Sequence, residues 1–236
     1  MIAREMEKAK RGDRDPIYIA WDEYNIWYRW RQNETMSGER ALEERYNLED
    51  ALVIAGFLNA FIRNADIVKM ANMAQLVNVI APIFAEKDGM FRQTIYYPLQ
   101  LFAQNMYGTS LDVLVDCETY NTGEFYLGLA EQATRQNNVP YLDVSAAYRN
   151  GNVVIGVINR HKDAAIVTDL ISQEGLFNGE FEVFEVNGPD IKAENDFNKI
   201  NVETVHKKPI KINKKETFTY EFPPHSFTLL KGKIVK

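Results

Sequence analysis

The chain has 236 residues, 46% of them hydrophobic, and a net charge of −6 from 27 basic and 33 acidic side chains. That length suits one large domain or two modest ones, and the apolar fraction supports a sizeable core. The dispersed lysines and arginines exclude a basic nucleic-acid footprint, and the single cysteine, Cys117, excludes an intrachain disulfide.

Residues 1–16 are charged throughout and lack an apolar h-region, so no secretory signal is expected. No apolar run approaches the roughly 20 residues of a membrane helix, and a cytoplasmic protein with no membrane partner is the expectation. Residues 3–10 read as a weak helix that Gly12 and Pro16 break. Residues 17–21 predict a short buried strand, and residues 31–46 a polar loop with a helical turn over 39–45. Asn47 is placed as a helix N-cap, with Glu49 and Asp50 in the first turn. Leu48, Leu52, Ala55, Leu58 and Ile62 then recur at helical spacing and predict a core helix. A second buried strand is expected at 76–81, ended by Pro82 and by Lys87-Asp88-Gly89. A helix over 94–107 follows, stopped by Gly108. Strand, helix, strand, helix implies βαβ units and a parallel sheet.

Beyond Gly108 the texture changes. Strands are expected at 111–115, 153–158, 181–186, 218–222 and 227–230. Turn signals separate them at Arg149-Asn150-Gly151-Asn152, Asn187-Gly188-Pro189 and Pro223-Pro224. Short strands punctuated in this way predict an antiparallel β-sandwich. The expected division is therefore 1–108, an α/β part, and 109–236, an all-β sandwich. Two strand–helix units cannot close a barrel that needs eight, so the first part reads as partial.

The run from Ile17 to Arg29 carries the most chemistry. Apolar, β-prone residues lead into Asp22-Glu23, and Tyr24, Asn25, Trp27 and Tyr28 crowd the far end. A strand that delivers a carboxylate to an aromatic rim presents catalytic groups in parallel barrels, and aromatic faces beside amides suit a sugar. The opposing reading makes the acids helix caps and the aromatics core, and the local pattern leaves both open. On an extended strand Asp22 points away from Glu23, as a supporting acceptor. Trp27 offers an aromatic wall, while Asn25 and Asn78 suit loop organisation more than ligand contact.

Trp21-Asp22-Glu23-Tyr24-Asn25-Ile26-Trp27-Tyr28 resembles the nucleophile segment of the α-L-arabinofuranosidases of glycoside hydrolase family 51. Residues 66–83 resemble that family's next barrel strand, and Arg92-Gln93-Thr94-Ile95-Tyr96-Tyr97-Pro98 and Pro223-Pro224-His225-Ser226-Phe227 also fit, in order. The resemblance implies strands seven and eight of a (β/α)8 TIM barrel followed by a jelly-roll-like β-sandwich. It implies a retaining glycosidase acting on terminal arabinofuranosyl residues of arabinan- or arabinoxylan-type saccharides, with Glu23 as nucleophile. Gln75 stands where the family places a sugar-binding glutamine, and Trp27 and Asn25 are the other substrate-binding candidates. Tyr24 replaces a tryptophan common in relatives. The family's acid/base glutamate lies upstream of this chain; Asn33-Glu34 has the right dipeptide in the wrong place. A homo-oligomer, or pairing with a separate N-terminal half, is implied. The alternative is a non-catalytic sugar-binding or subunit-pairing module.

No cofactor is expected. His161, His206 and His225 are far apart in sequence, which does not support zinc, and no glycine-rich phosphate loop occurs. Cys117 has no neighbouring group that would activate it.

Overall fold

A computed structural model describes residues 17–28, 42–126 and 133–236. Among them the first part contains β1 (Ile19–Tyr24), α1 (Leu48–Arg63), β2 (Val68–Met73), β3 (Ile83–Glu86), β4 (Gly89–Arg92) and α2 (Tyr96–Asn105). Then come β5 (Thr109–Leu111) and four two-residue strands, β6 (Thr119–Tyr120), β7 (Phe125–Tyr126), β8 (Ala133–Thr134) and β9 (Val139–Pro140). The long strands are β10 (Leu142–Arg149), β11 (Asn152–Asn159), β12 (Ile166–Ile171), β13 (Leu176–Asn187), β14 (Glu203–Lys215), β15 (Thr217–Phe222) and β16 (Ser226–Val235).

Six strands form one antiparallel sheet in the order β14-β13-β16-β11-β10-β5. Both of its faces are covered. On one, Ala147, Val154, Phe227 and Leu229 pack against Leu52 of α1 and Phe102 of α2. On the other, Val157, Phe181 and Leu230 pack against Phe218 and Phe222 of the β12–β15 pair. This explains why β11 reads as an unbroken apolar run: a strand buried on both sides has no polar face to alternate. The hairpin joining β10 to β11 turns through Asn150 and Gly151, both at positive φ, as the two-residue loop requires. The core therefore crosses Gly108, because both helices precede it and lie on the sandwich sheet.

Asn47 caps α1 as expected, and the reciprocal bonds with Asp50 make a capping box. Four expectations are corrected. The first strand is Ile19–Tyr24, later than 17–21, and four of its six residues are exposed. The second strand is Val68–Met73, not 76–81. Leu76 and Val77 are exposed, and residues 74–82 form a loop in which Asn78 and Ile80 take left-handed φ values of 63° and 42°. Apolar density there does not mean strand, because positive φ interrupts the extended chain. The strand expected at 111–115 ends at Leu111; Val113, Val115 and Cys117 still pack on the sandwich core. Of the turn expected over 39–45, residues 43–45 carry no helix. The helix expected over 3–10 and the Asn33-Glu34 dipeptide lie outside the described residues. No helix among the described residues is long and apolar enough to cross a membrane.

Tyr24, Tyr46, Tyr97 and Tyr220 all have hydroxyl pKa values raised above the ordinary one, chiefly because burial penalises the phenolate. Near Tyr46, Glu44 and Asp50 add to the effect. The unfolded tyrosines ionise near about pH 10, below the folded ones, so the stability from this difference is complete below that pH and lost above it. Denaturant midpoints should hold steady to about pH 9 and fall steeply beyond about pH 10, together with the rise of phenolate absorbance. A midpoint that stays flat while all the tyrosines ionise would contradict this.

Candidate active site at the ends of two parallel strands

β1 and β2 run parallel, joined through α1. Trp21 faces Ala71 and Tyr24 faces Met73, so β1 takes three steps where β2 takes two. The extra residue makes a bulge at Asp22-Glu23. The rings of α1 report it independently. Trp21 and Tyr24 lie three apart, yet both pack on Phe61, with centroids 5.8 and 5.0 Å away. A regular strand would send them to opposite faces. The alternation that set Asp22 opposite Glu23 is thus broken, and both side chains are exposed. Tyr24, only 7% exposed, also touches Phe57 and anchors the strand just after the bulge.

The next turn of chain is fastened to the same strand end. The backbone N–H of Ala74 donates to Tyr24 O at 3.3 Å, and that of Gln75 to Ile80 O at 3.3 Å. Asn25 donates from Nδ2 to Ala74 O at 2.6 Å and to Ile80 O, while its Oδ1 accepts from the N–H of Ile26. Both of its amide hydrogens are therefore engaged within the protein. Asn78 uses its side chain like a piece of strand, donating to Ala85 O at 3.0 Å and accepting from the N–H of Ala85 at 2.7 Å. The Ala74–Gln75 peptide is cis, and the Gln75 side chain is exposed.

Residues 26–28 are pinned on either side of Trp27. Tyr46 donates from its hydroxyl to Ile26 O at 2.7 Å, the N–H of Tyr28 donates to Glu44, and the Tyr28 hydroxyl donates to Asp50. Trp27 itself is 48% exposed. Gln93 ties this frame together from within the core. It donates to Glu44 O at 3.0 Å and to Ala81 O at 2.7 Å, and accepts from the N–H of Tyr46 at 3.0 Å. Gln93 lies in the run from Arg92 to Pro98, where the resemblance assigns it no role. Its signal was a glutamine flanked by residues that pack, which predicts a satisfied buried amide.

Glu23, Asn25, Trp27 and Gln75 thus gather around the carboxyl end of β1 and the loop after β2. In parallel α/β folds that edge carries the ligand site. An amide and a half-exposed indole can hold a sugar, whose C–H faces suit an aromatic wall, and a carboxylate beside them can attack the anomeric carbon of a glycoside as its aglycone oxygen leaves.

The histidines lie elsewhere. His161 and His225, distant in sequence, meet in adjacent turns, where the N–H of His225 donates to His161 O at 2.9 Å. His161 Nδ1 accepts from the N–H groups of Asp163 and Ala164, and the ring packs at a tilt against Tyr141; His206 stacks on Phe184. Among the described residues, no group of three or more His, Cys, Asp or Glu could hold a metal ion.

Residues 22–226 match the family model described as the α-L-arabinofuranosidase C-terminal domain. The chain is 38% identical over 216 residues to a probable α-L-arabinofuranosidase C of Aspergillus terreus, covering 91% of this chain and 40% of that protein. It is 30% identical over 233 residues to the intracellular exo-α-(1→5)-L-arabinofuranosidase 1 of Bacillus subtilis, covering 96% of this chain and 44% of that one. Among solved structures it is similar to the α-L-arabinofuranosidase of Thermotoga maritima in its arabinose complex, with a TM-score of 0.79 at 29% identity over 92% of this chain and 43% of the other. The chain spans about two fifths of the length of the curated relatives it matches.

Proposed function

Because the chain belongs to the α-L-arabinofuranosidase C-terminal domain family, we propose that it is part of a retaining α-L-arabinofuranosidase that removes terminal, non-reducing arabinofuranosyl residues from arabinan- and arabinoxylan-type saccharides. In this reading β1, α1, β2 and α2 are the last two strand–helix units of a (β/α)8 barrel, up to residue 108, and residues 109–236 are its sandwich. Glu23 is the nucleophile. Trp27 and Gln75 contact the sugar, and Asn25 holds the loop that carries Gln75. The acid/base carboxyl comes from outside these residues, about 5–5.5 Å from Glu23 as retention requires. The relative named as intracellular supports a cytoplasmic location for this one.

The observation that carries the proposal is the bulge at Asp22-Glu23, clamped between Trp21 and Tyr24 on Phe61. A bulge at the end of a parallel strand re-aims a side chain, as active sites require. The exposure of Glu23 and of its strand supports a further inference about the chain by itself. A solvated carboxylate is held away from its substrate by water, and the remaining barrel strands would have to exclude that water. The 236-residue chain alone should therefore hydrolyse an aryl α-L-arabinofuranoside at least about 10²–10⁴-fold more slowly than an intact relative, the usual contribution of the absent general acid. Adding the other six strand–helix units, fused or as a second chain, should restore activity. Turnover by the purified chain matching that of the relative would overturn the division of labour proposed here.

A further inference from the structure

Between β13 and β14 the chain leaves the sandwich as an arm, residues 188–202, and reaches the frame of the site. Ala193 O and Ile191 O accept from the N–H groups of Leu48 and Glu49, each at 2.9 Å, which satisfies donors that the first turn of α1 leaves open. Asn195 is 2% exposed and fully bonded: it donates to Arg92 O at 3.0 Å and Val202 O at 2.7 Å, and accepts from the N–H groups of Asn201 and Val202. Beyond it Phe197 stands edge-on to Phe91 and Phe84, with centroids 4.9 and 6.0 Å away. Those two rings belong to the β3–β4 hairpin. The hairpin continues the Gln75 loop, since Asn78 grips Ala85 and Val77 bridges to Ile83.

We propose that Phe197, on the sandwich arm, is a positioning residue for the loop that carries Gln75, acting through Phe84 and the Asn78–Ala85 pair. Its value for sugar binding rests on the reading of Gln75 given above. Phe197 is 40% exposed, so it contributes little as a core residue, and among the described residues its ring contacts are with the two hairpin rings. Edge-to-face packing has a preferred geometry that an aliphatic side chain does not reproduce. The arm is tied at Asn195 to Arg92, the last residue of the same hairpin, so Phe197 is presented from a fixed base.

Amide hydrogen exchange on the 236-residue chain tests the mechanical half. Phe197→Ala should speed exchange at Asn78 and Ala85 about tenfold by freeing the hairpin to open locally. The amides of β10 and β11 should not change, and Phe197→Tyr, which keeps the ring edge, should restore protection. Unchanged exchange at Asn78 and Ala85 overturns the proposal. So does equal acceleration in β10 and β11, or failure of the tyrosine to rescue, since either would make Phe197 an ordinary stability residue. In the assembled enzyme Phe197→Ala should raise KM for an aryl arabinofuranoside about tenfold with little change in kcat, and add nothing once Gln75 is alanine. An exchange response with KM unmoved would overturn the role of Gln75 and leave the mechanical coupling standing.

Discussion

Glu23→Gln, made in the enzyme assembled from this chain and the remaining barrel units, should lower turnover by about 10³-fold or more. Glutamine keeps the shape of the side chain but supplies no anionic oxygen to attack the anomeric carbon. Because Glu23 lies in an exposed bulge of this chain and its neighbours Trp21 and Tyr24 do the packing, the same substitution in the 236-residue chain should leave its thermal stability almost unchanged. A loss of activity with an intact fold is therefore a clean reading. The product of the unmodified enzyme should keep its anomeric configuration, and a mechanism-based arabinofuranosyl label should attach at Glu23 alone. Asp22→Asn should be milder. Label on another carboxylate, or full activity in Glu23→Gln, would show that the nucleophile has been misidentified.

The largest effect on stability is expected where β13 crosses β16. From Asn178 to Glu182 β13 takes four steps while β16 takes two, from Lys233 to Lys231, so residues 179–181 bulge opposite Gly232. That bulge lays the Phe181 ring flat on the glycine, where a Cβ at 232 would fall far inside the ring's contact distance. Phe181 is fully buried and also meets Phe177 and Phe218. Phe181→Ala should cost about 3–5 kcal/mol by cavity formation, and Gly232→Ala about 1–3 kcal/mol or more by overpacking. Once Phe181 is alanine, Gly232→Ala should cost little, because the ring it collides with has gone. Denaturant titrations of the two single variants and the double variant would measure this coupling. Strictly additive losses would mean that the ring and the glycine do not share the space.

What the sequence made legible follows from which residues carry strong local signals. Asn47 with Asp50 marked the start of α1, and Asn150-Gly151 marked a turn, because caps and two-residue turns are written in a few side chains. β2 was misplaced because its residues include Lys69 and Asn72, which face outward, while the more apolar stretch after it is a loop held by Asn25 and Asn78. β14 went unread altogether. As an edge strand it carries Lys207, Lys208, Pro209 and Lys211, the residues that keep edges from pairing further and that make a strand look like a loop. At the candidate site, Glu23, Asn25, Trp27 and Gln75 are the residues that the resemblance singles out. The bulge could not be read, since register depends on the partner strand, nor could the buried hub at Gln93, whose three partners lie 12 to 49 residues away.

The sheet that joins these parts is covered on one face by helices that precede Gly108 and on the other by strands that follow it. For the evolution of such a protein, the sandwich is consequently not a portable cassette. A recombination event that moved residues 109–236 alone onto another gene would carry away a sheet whose Ala147, Val154, Phe227 and Leu229 had lost their cover. The smallest heritable unit that keeps both faces dry begins before α1, and it brings the end of β1, with Glu23, along with it whenever the βαβ crossover is kept whole.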